Sequence, residues 1–263
     1  MSDALETRQH QRVLHLSLNR PEKRNALNAE LCTALVEAIE RAGRSPGIGA
    51  MLLTGNGKSF CAGMDLEEMG SATQDTLSTL HEQLFTIGSR LTLPLVAGVN
   101  GAALGGGMGL VANCHIVVAS ERATFGLTEI RLGLWPFMVY RALTAAVGER
   151  RTLELSLTGR ALGAEAARET GLIHEISAAP EARAAELAAA LAAASPTAIR
   201  AGLRFVQEVR GKNWQQAGEI ARQIRNRVFA SADFQEGVRA FREKRPPQWP
   251  SVAESGSMPQ DVE

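Results

Sequence analysis

The run Leu95-Val96-Ala97-Gly98-Val99 is wholly apolar, and a glycine-rich turn follows it at Asn100-Gly101. Gly105-Gly106-Gly107 then opens a second apolar segment, Met108 to Ala112. A short apolar run bounded by turn residues reads as a strand, and the segment behind the glycines reads as a short buried helix. The same punctuation recurs along the chain. Val13 to Leu18 alternates apolar and polar residues and ends at Asn19-Arg20-Pro21, which predicts a strand. Leu27, Leu31, Leu35 and Ile39 fall at spacing four within an amphipathic helix expected over 25–42. Gly49 to Thr54 predicts a strand, Ala72 to Leu93 a helix, and Ile116 to Ala119 another strand. Strands alternating with helices constrain the chain to an α/β fold with βαβ-type crossovers.

From about Gly148 onward the pattern is helical, with an alanine-rich stretch over 180–194. Ser195-Pro196-Thr197 has the form of an N-cap followed by proline in the first turn. Lys212 to Arg242 predicts one or two helices, stopped by Pro246-Pro247. The final dozen residues are polar and proline-containing, so a flexible tail is expected over 251–263.

Charge limits the function classes. The 263 residues carry 28 Lys+Arg and 28 Asp+Glu, a formal net charge of +0. A chain built to track nucleic acid would present a basic face, so no nucleic-acid partner is expected. Cys32, Cys61 and Cys114 are odd in number and contain no C-x-x-C pair, which argues against a disulfide framework or zinc knuckle. His10, His15, His81, His115 and His174 show no H-x-x-x-H spacing, so no metal site is expected. No signal pattern opens the chain and no apolar run reaches about 18 residues. A cytoplasmic protein that does not span or bind a membrane is the expectation.

Several nucleotide-binding and hydrolase motifs fail on spacing. Gly55-Asn56-Gly57-Lys58-Ser59 ends like a phosphate-binding loop, but Leu52 stands where that loop needs glycine. The Gly105 cluster is not a dinucleotide fingerprint, because its third glycine would fall at Leu110. No G-x-S-x-G nucleophile elbow is present.

Two glycine-containing turns remain, Cys61-Ala62-Gly63-Met64-Asp65 and Gly105-Gly106-Gly107, each after a strand and before a helical segment. Such turns present unpaired N–H groups, and glycine lets a ligand approach the backbone closely. Two of them facing each other would stabilise a developing oxyanion. The alternative is that these glycines only permit tight packing.

The wider strings resemble the crotonase (enoyl-CoA hydratase/isomerase) family. They are 59–66 (SFCAGMDL), 94–107 (PLVAGVNGAALGGG) and 123–134 (ATFGLTEIRLGL). Asn19-Arg20-Pro21 with Asn25-Ala26-Leu27, Thr158-Gly159-Arg160 through Gly171-Leu172-Ile173, and 241–247 (FREKRPP) are similar to further family motifs. The likeness covers about residues 8–250. It implies a spiral ββα core over 1–195, a helical oligomerisation region over 196–250, and a homotrimer or dimer of trimers. It also implies an acyl-CoA substrate, with coenzyme A as part of that substrate and no separate cofactor. Matching positions imply oxyanion donors at the N–H groups of Met64 and Gly106, beside Gly105. Ala26, Ala62, Asp65 and Leu66 match the adenine and pantetheine path. Lys23 or Arg24 could meet a CoA phosphate, and Trp135 and Pro136 would border the acyl group. Phe241 and Lys244 match residues that reach a neighbouring subunit's CoA; as an alternative they are simply an amphipathic helix end.

Well-studied hydratases of this family use two glutamates. One matches Glu129, which precedes the apolar stretch Ile130 to Trp135 and is expected to be desolvated, with a raised pKa. The other position holds Gly109. One carboxylate suffices to shift a proton from C2 to C4 of a 3-enoyl thioester, and hydration needs a further group to orient water. Asp65, Glu67, Glu68 and Glu82 are candidates for that group. A second departure, Trp135-Pro136-Phe137-Met138-Val139-Tyr140, puts bulky residues where many hydratases have a glycine-rich turn. It suggests a different acyl pocket or a better-filled core. His115 replaces the family's usual aspartate and reads as structural. The expected activity is hydration or isomerisation of an enoyl-CoA. A CoA-thioester hydrolase or other lyase, and a non-catalytic acyl-CoA-binding protein, are the alternatives.

Overall fold

A computed structural model describes residues 2–68 and 74–253. In chain order the elements are β1 (Leu5–His10), β2 (Val13–Leu18), α1 (Ala29–Arg44), β3 (Ala50–Gly55), α2 (Gln74–Thr86), β4 (Leu95–Val99), β5 (Ala103–Leu104), α3 (Gly106–Ala112), β6 (Ile116–Ala119) and β7 (Thr124–Gly126). They continue with α4 (Phe137–Val147), α5 (Glu149–Thr158), β8 (Ala161–Gly163), α6 (Ala164–Glu169), β9 (Glu175–Ile176), α7 (Pro180–Ala192), α8 (Pro196–Glu208), α9 (Trp214–Phe229), α10 (Ala232–Glu243) and α11 (Pro250–Ala253).

A six-stranded sheet runs in the order β1-β2-β3-β4-β6-β9, and a three-stranded sheet in the order β5-β7-β8. From β2 to β9 every neighbouring pair in the large sheet is parallel, while β1 is an antiparallel edge strand paired with β2. Parallel strands need crossovers, and crossover helices cover the faces of the sheet. That is why β3 and β4 are buried along their whole length. Alternate residues divide between two cores. Met51 and Leu53 join the large core with Leu31, Leu35 and Phe85. Ala50 and Leu52 join Val13, Val96, Val118 and the alanines of α7 on the opposite face.

The alanine-rich stretch has a packing reason. Ala184, Ala188 and Ala192 of α7 lie against the sheet. A Cβ at Gly98 would stand 2.9 Å from Glu181 Cα, and one at Gly49 would stand 2.9 Å from Ala192 Cα. Small side chains on helix and strand bring the two backbones closer than larger ones would permit.

The helix expected from Asn25 begins at Ala29, with Asn28 as its cap accepting the Leu31 N–H at 3.0 Å. Asn25 is instead buried with φ 56°, and its side chain ties loops together. Its Oδ1 accepts the Arg20 N–H at 2.8 Å, and its Nδ2 donates to the Asn56 and Ser59 carbonyls at 2.9 Å each. Asn100 Nδ2 straps the same loop, donating to the Gly55 and Gly57 carbonyls at 2.8 Å. Together they hold the connection that leads from β3 to Cys61.

The expected strand over 49–54 is Ala50–Gly55, and the helix expected over 72–93 is α2 followed by the 3-10 turn Ile87–Ser89. Residues 72 and 73 lie outside the described residues, as do 254–263 of the expected tail. The second half is not wholly helical: β8 and β9 interrupt it, each held by pairing to a distant strand. Ser195 caps α8 through the Ala198 N–H, and Lys212 to Arg242 resolves into α9 and α10. Buried Asp233 of α10 accepts from the Ser195 hydroxyl at 2.6 Å and from the Ser251 hydroxyl at 2.8 Å, which ties the C-terminal helices to the end of α7. No helix among the described residues is long and apolar enough to cross a membrane.

Replacing Asn25 with alanine removes three hydrogen bonds and leaves two half-buried carbonyls and one N–H to find new partners. A loss of about 2–4 kcal/mol in unfolding free energy is expected, on about 1 kcal/mol per bond plus the unpaired groups. Urea unfolding of Asn25→Ala against wild type measures it.

Candidate active site

The site is built where the chain after β3 crosses the chain after β4. Cys61 and Ala103 form a parallel bridge, with the Cys61 N–H donating to the Ala102 carbonyl and the Leu104 N–H to the Cys61 carbonyl, each at 3.0 Å. A second bridge joins Leu27 and Met64. Glycine is required on both sides of the crossing. Gly63 has φ 99°, and a Cβ there would lie 2.9 Å from the Leu104 carbonyl oxygen and 3.4 Å from the Gly106 nitrogen. A Cβ at Gly107 would lie 2.2 Å from the Cys61 carbonyl oxygen.

The crossing brings the Met64 and Gly106 turns against one pocket, which both residues line. The bridge bonds of Leu27 run to the Gly63 carbonyl and from the Asp65 N–H, so they bypass the Met64 N–H. Gly106 is the first residue of α3, where an N–H has no partner within the helix. Neither N–H donates to a protein acceptor among the described residues. Gly105, at φ 50°, makes the turn that leaves the Gly106 N–H outside the ladder.

Glu129 begins the 3-10 turn Glu129–Leu132 after β7, and Gly133 closes that turn in the left-handed region. Its carboxylate lies over Gly105, where an added Cβ would be 3.1 Å from Oε1. Any side chain at 105 would crowd that carboxylate. Glu129 Oε2 is buried and has no hydrogen-bond partner among the described residues. Burial pushes the Glu129 carboxyl above its ordinary value, against a smaller opposing effect of its own backbone N–H.

The missing carboxylate and the bulky segment prove to be one feature. A Cβ at Gly109 would stand 2.3 Å from Val139 Cγ1 and 3.0 Å from Phe85 Cδ1. Val139 of α4 therefore occupies the space in which a side chain at 109 would begin. The residues before it, Leu134 to Met138, line the same pocket. The bulky segment thus shapes the pocket wall and also fills the core at 109.

The other candidates fall into separate places. Trp135 and Pro136 line the pocket with Glu129, Met64 and Gly106. Asp65 is buried and paired with Arg20 at 2.8 Å, and it also accepts the Glu67 N–H at 3.1 Å. Burial alone would raise its carboxyl, but these partners hold it below its ordinary value. Glu67 pairs with exposed Lys23 at 2.6 Å. Glu68 lines the pocket and accepts the Ala29 N–H at 2.8 Å, whereas Glu82 is exposed on α2. Ala26 and Ala62 lie on the backbone beside the first turn, where Arg20 donates to the Ala26 carbonyl and the Ala62 N–H to the Arg24 carbonyl. Leu66 and Arg24 are exposed beside them. Phe241 and Lys244, at the end of α10, are exposed and do not line the pocket. His115 accepts the Leu95 N–H on Nδ1 at 3.0 Å, a structural bond at the sheet.

The thiols offer no nucleophile. All three are free, and burial pushes each of them up to about 12. No group of three or more His, Cys, Asp or Glu among the described residues could hold a metal ion. Sequence reasoning missed the wall that α2 contributes, namely Leu77, Ser78, His81 and Phe85. Its signal is a buried stripe at spacing four, Leu77-His81-Phe85, in which a histidine interrupts apolar residues.

Comparison with known proteins gives the family. The family model described as enoyl-CoA hydratase/isomerase matches residues 8–252. The 2,3-dehydroadipyl-CoA hydratase of Escherichia coli is 37% identical over 255 residues, covering 95% of this chain and 99% of that protein. Enoyl-CoA hydratase EchA19 of Mycobacterium tuberculosis is 38% identical over 257 residues, covering 94% and 96%. The solved enoyl-CoA hydratase of Bacillus anthracis superposes with a TM-score of 0.89 at 28% identity, covering 94% of this chain and 99% of that one. That of Mycobacterium smegmatis gives 0.87 at 30% identity, covering 94% and 98%. The fold is that of the crotonases, a mixed α/β core with a helical C-terminal region. The chain belongs to the enoyl-CoA hydratase/isomerase family.

Because Val139 and Phe85 fill the space beside Gly109, a glutamate does not fit there by a single substitution. Gly109→Glu is expected to lose stability by about 3 kcal/mol or more, as overpacking and a buried carboxylate add. Adding Val139→Ala to it should recover part of the loss. Thermal unfolding of the two variants tests the order.

Proposed function

We propose that this enzyme adds water across the double bond of a 2-enoyl-CoA thioester. The Met64 and Gly106 N–H groups hold the thioester oxygen as charge develops on it, and Glu129 delivers the proton at C2. The observation that carries this reading is Glu129 Oε2, buried without a partner in the pocket that the two turns share. A preorganised pair of donors stabilises the enolate selectively, and burial raises the carboxyl pKa in the direction that favours proton transfer.

Coenzyme A enters as part of the substrate, with no separate cofactor. Its path runs past Ala26, Ala62, Asp65 and Leu66, and exposed Lys23 and Arg24 supply charge for its phosphates. Phe241, 85% exposed on the single chain, and Lys244 fit a contact with the CoA of a neighbouring subunit in a homotrimer or dimer of trimers. A cytoplasmic location fits this soluble-substrate chemistry.

Isomerisation of a 3-enoyl-CoA is a second reading, favoured by the closure of position 109 by Val139. Glu129 would then take a proton from C2 and return it at C4. In that direction it must start ionised.

Glu129→Gln is expected to lower turnover of the active substrate by about 10²- to 10⁴-fold. Mass spectrometry on 2-enoyl and 3-enoyl thioesters separates gain of water, isomerisation and loss of CoA. Unchanged turnover of both would contradict the role of Glu129, and release of free CoA thiol would place the chain with thioester hydrolases. Tight binding of every thioester without turnover would make it a binding protein. Removal of a C2 proton requires ionised Glu129, and burial raises its pKa. Wild-type C2 deuterium exchange should therefore fade as pH drops, with its acid limb above the ordinary carboxylate range.

A further inference from the structure

Only two side chains that line the pocket have a buried polar atom without a partner among the described residues: Glu129 through Oε2 and His81 through Nε2. The pairing matters because buried polar atoms in folded proteins almost always find a partner, and an orphan calls for a reason. Two less buried histidines, half-buried His115 and exposed His174, each have one. His115 and His174 each accept a backbone N–H on Nδ1, from Leu95 and Val117. His81 is 6% exposed, and its ring lies 5.6 Å from that of Phe85.

The site unfolds in order along the wall. Glu129 faces Gly105, and Phe85 packs on Gly106, with its Cζ 2.9 Å from where a Cβ there would stand. His81 stands beside Phe85 on the same pocket wall. Burial lowers the pKa of this imidazole, against a smaller raising effect of the Glu68 charge, which favours the neutral ring. A neutral imidazole can accept a proton, and a carboxylate close by steadies the imidazolium that results. Glu68 and Glu129 are the charged residues among the described residues lining this pocket.

Resting on the hydration reading, we propose that His81 is its second acid–base residue, with Nε2 accepting a proton from the water that attacks C3. It supplies what position 109 has no room to supply. The water oxygen forms the bond to C3 as its proton passes to Nε2, and the C2–C3 π electrons move onto the thioester as the enolate. The enolate then takes the proton of Glu129 at C2. The product is a 3-hydroxyacyl thioester, beside an imidazolium and a carboxylate. His81 loses its proton to solvent and Glu129 regains one, so the sum is the addition of one water.

Two reactions separate this role from packing. Hydration needs an activated water, whereas C2 deuterium exchange on a saturated acyl-CoA in D2O needs only Glu129 and the two N–H groups. His81→Phe is expected to lower hydration by at least about a hundredfold, while exchange falls by at least about tenfold less. His81→Gln keeps a polar atom that can hold water but cannot take its proton. It should lose hydration relative to exchange in the same direction, and it carries the test if His81→Phe does not fold. Hydration unaltered in the variants would overturn the proposal. So would hydration and exchange falling in parallel, which marks a packing role. Wild type that neither hydrates nor exchanges would instead sink the reading of Glu129, and the proposal with it.

Discussion

Two hydrogen bonds at Cys61 hold the molecule's chemistry together. The Cys61 N–H reaches the Ala102 carbonyl, and the Leu104 N–H reaches the Cys61 carbonyl. They lock the chain leaving β3 to the chain leaving β4, with Gly63 and Gly107 at distances no side chain would permit. Both turns of the site take their place from that crossing. The parallel sheet delivers both chains to the same end, and the Asn25 and Asn100 straps fix the loop that leads into the first turn. The turns then leave the Met64 and Gly106 N–H groups unspent beside a pocket. Preorganised donors of this kind do not reorient as charge develops, which is the source of their value in enolate chemistry.

The pocket around those donors shows a trade. At Gly109 a side chain is excluded by Val139 and Phe85, and the same α4 segment supplies Trp135 and Pro136 to the pocket wall. Loss of polarity at one position and gain of bulk at another are therefore two ends of one contact. Glu129 is left as the carboxyl that burial tunes upward, while Asp65 is held by Arg20 in its ionised form. The structure thus separates a buried carboxyl without a partner from one that braces a loop.

Much of this is legible in the sequence where a feature is local. The apolar strand at 95–99, the stripe of Leu31, Leu35 and Ile39 on α1, and the Ser195 cap all follow from short-range periodicity and capping. The site residues Met64, Gly106 and Glu129 come together through motif likeness. What escapes local reading depends on partners far along the chain. Asn25 has helix-like neighbours, yet three hydrogen bonds to residues 20, 56 and 59 hold it in the left-handed region. Strands β8 and β9 are too short for any pattern and exist because β7 and β6 pair with them. Val139 and Gly109 are thirty positions apart, and no periodicity links them. His81 was visible only as one polar residue in an apolar stripe.

The central claim is that the two N–H groups polarise the thioester carbonyl. The direct measurement is isotope-edited difference infrared spectroscopy of a saturated acyl-CoA carrying ¹³C at the carbonyl, bound to the protein. The account predicts a carbonyl stretch shifted to lower frequency than in free solution, and a smaller shift when Gly107→Ala pushes the turns apart. A bound thioester whose carbonyl stretch matches that of the free compound would contradict it.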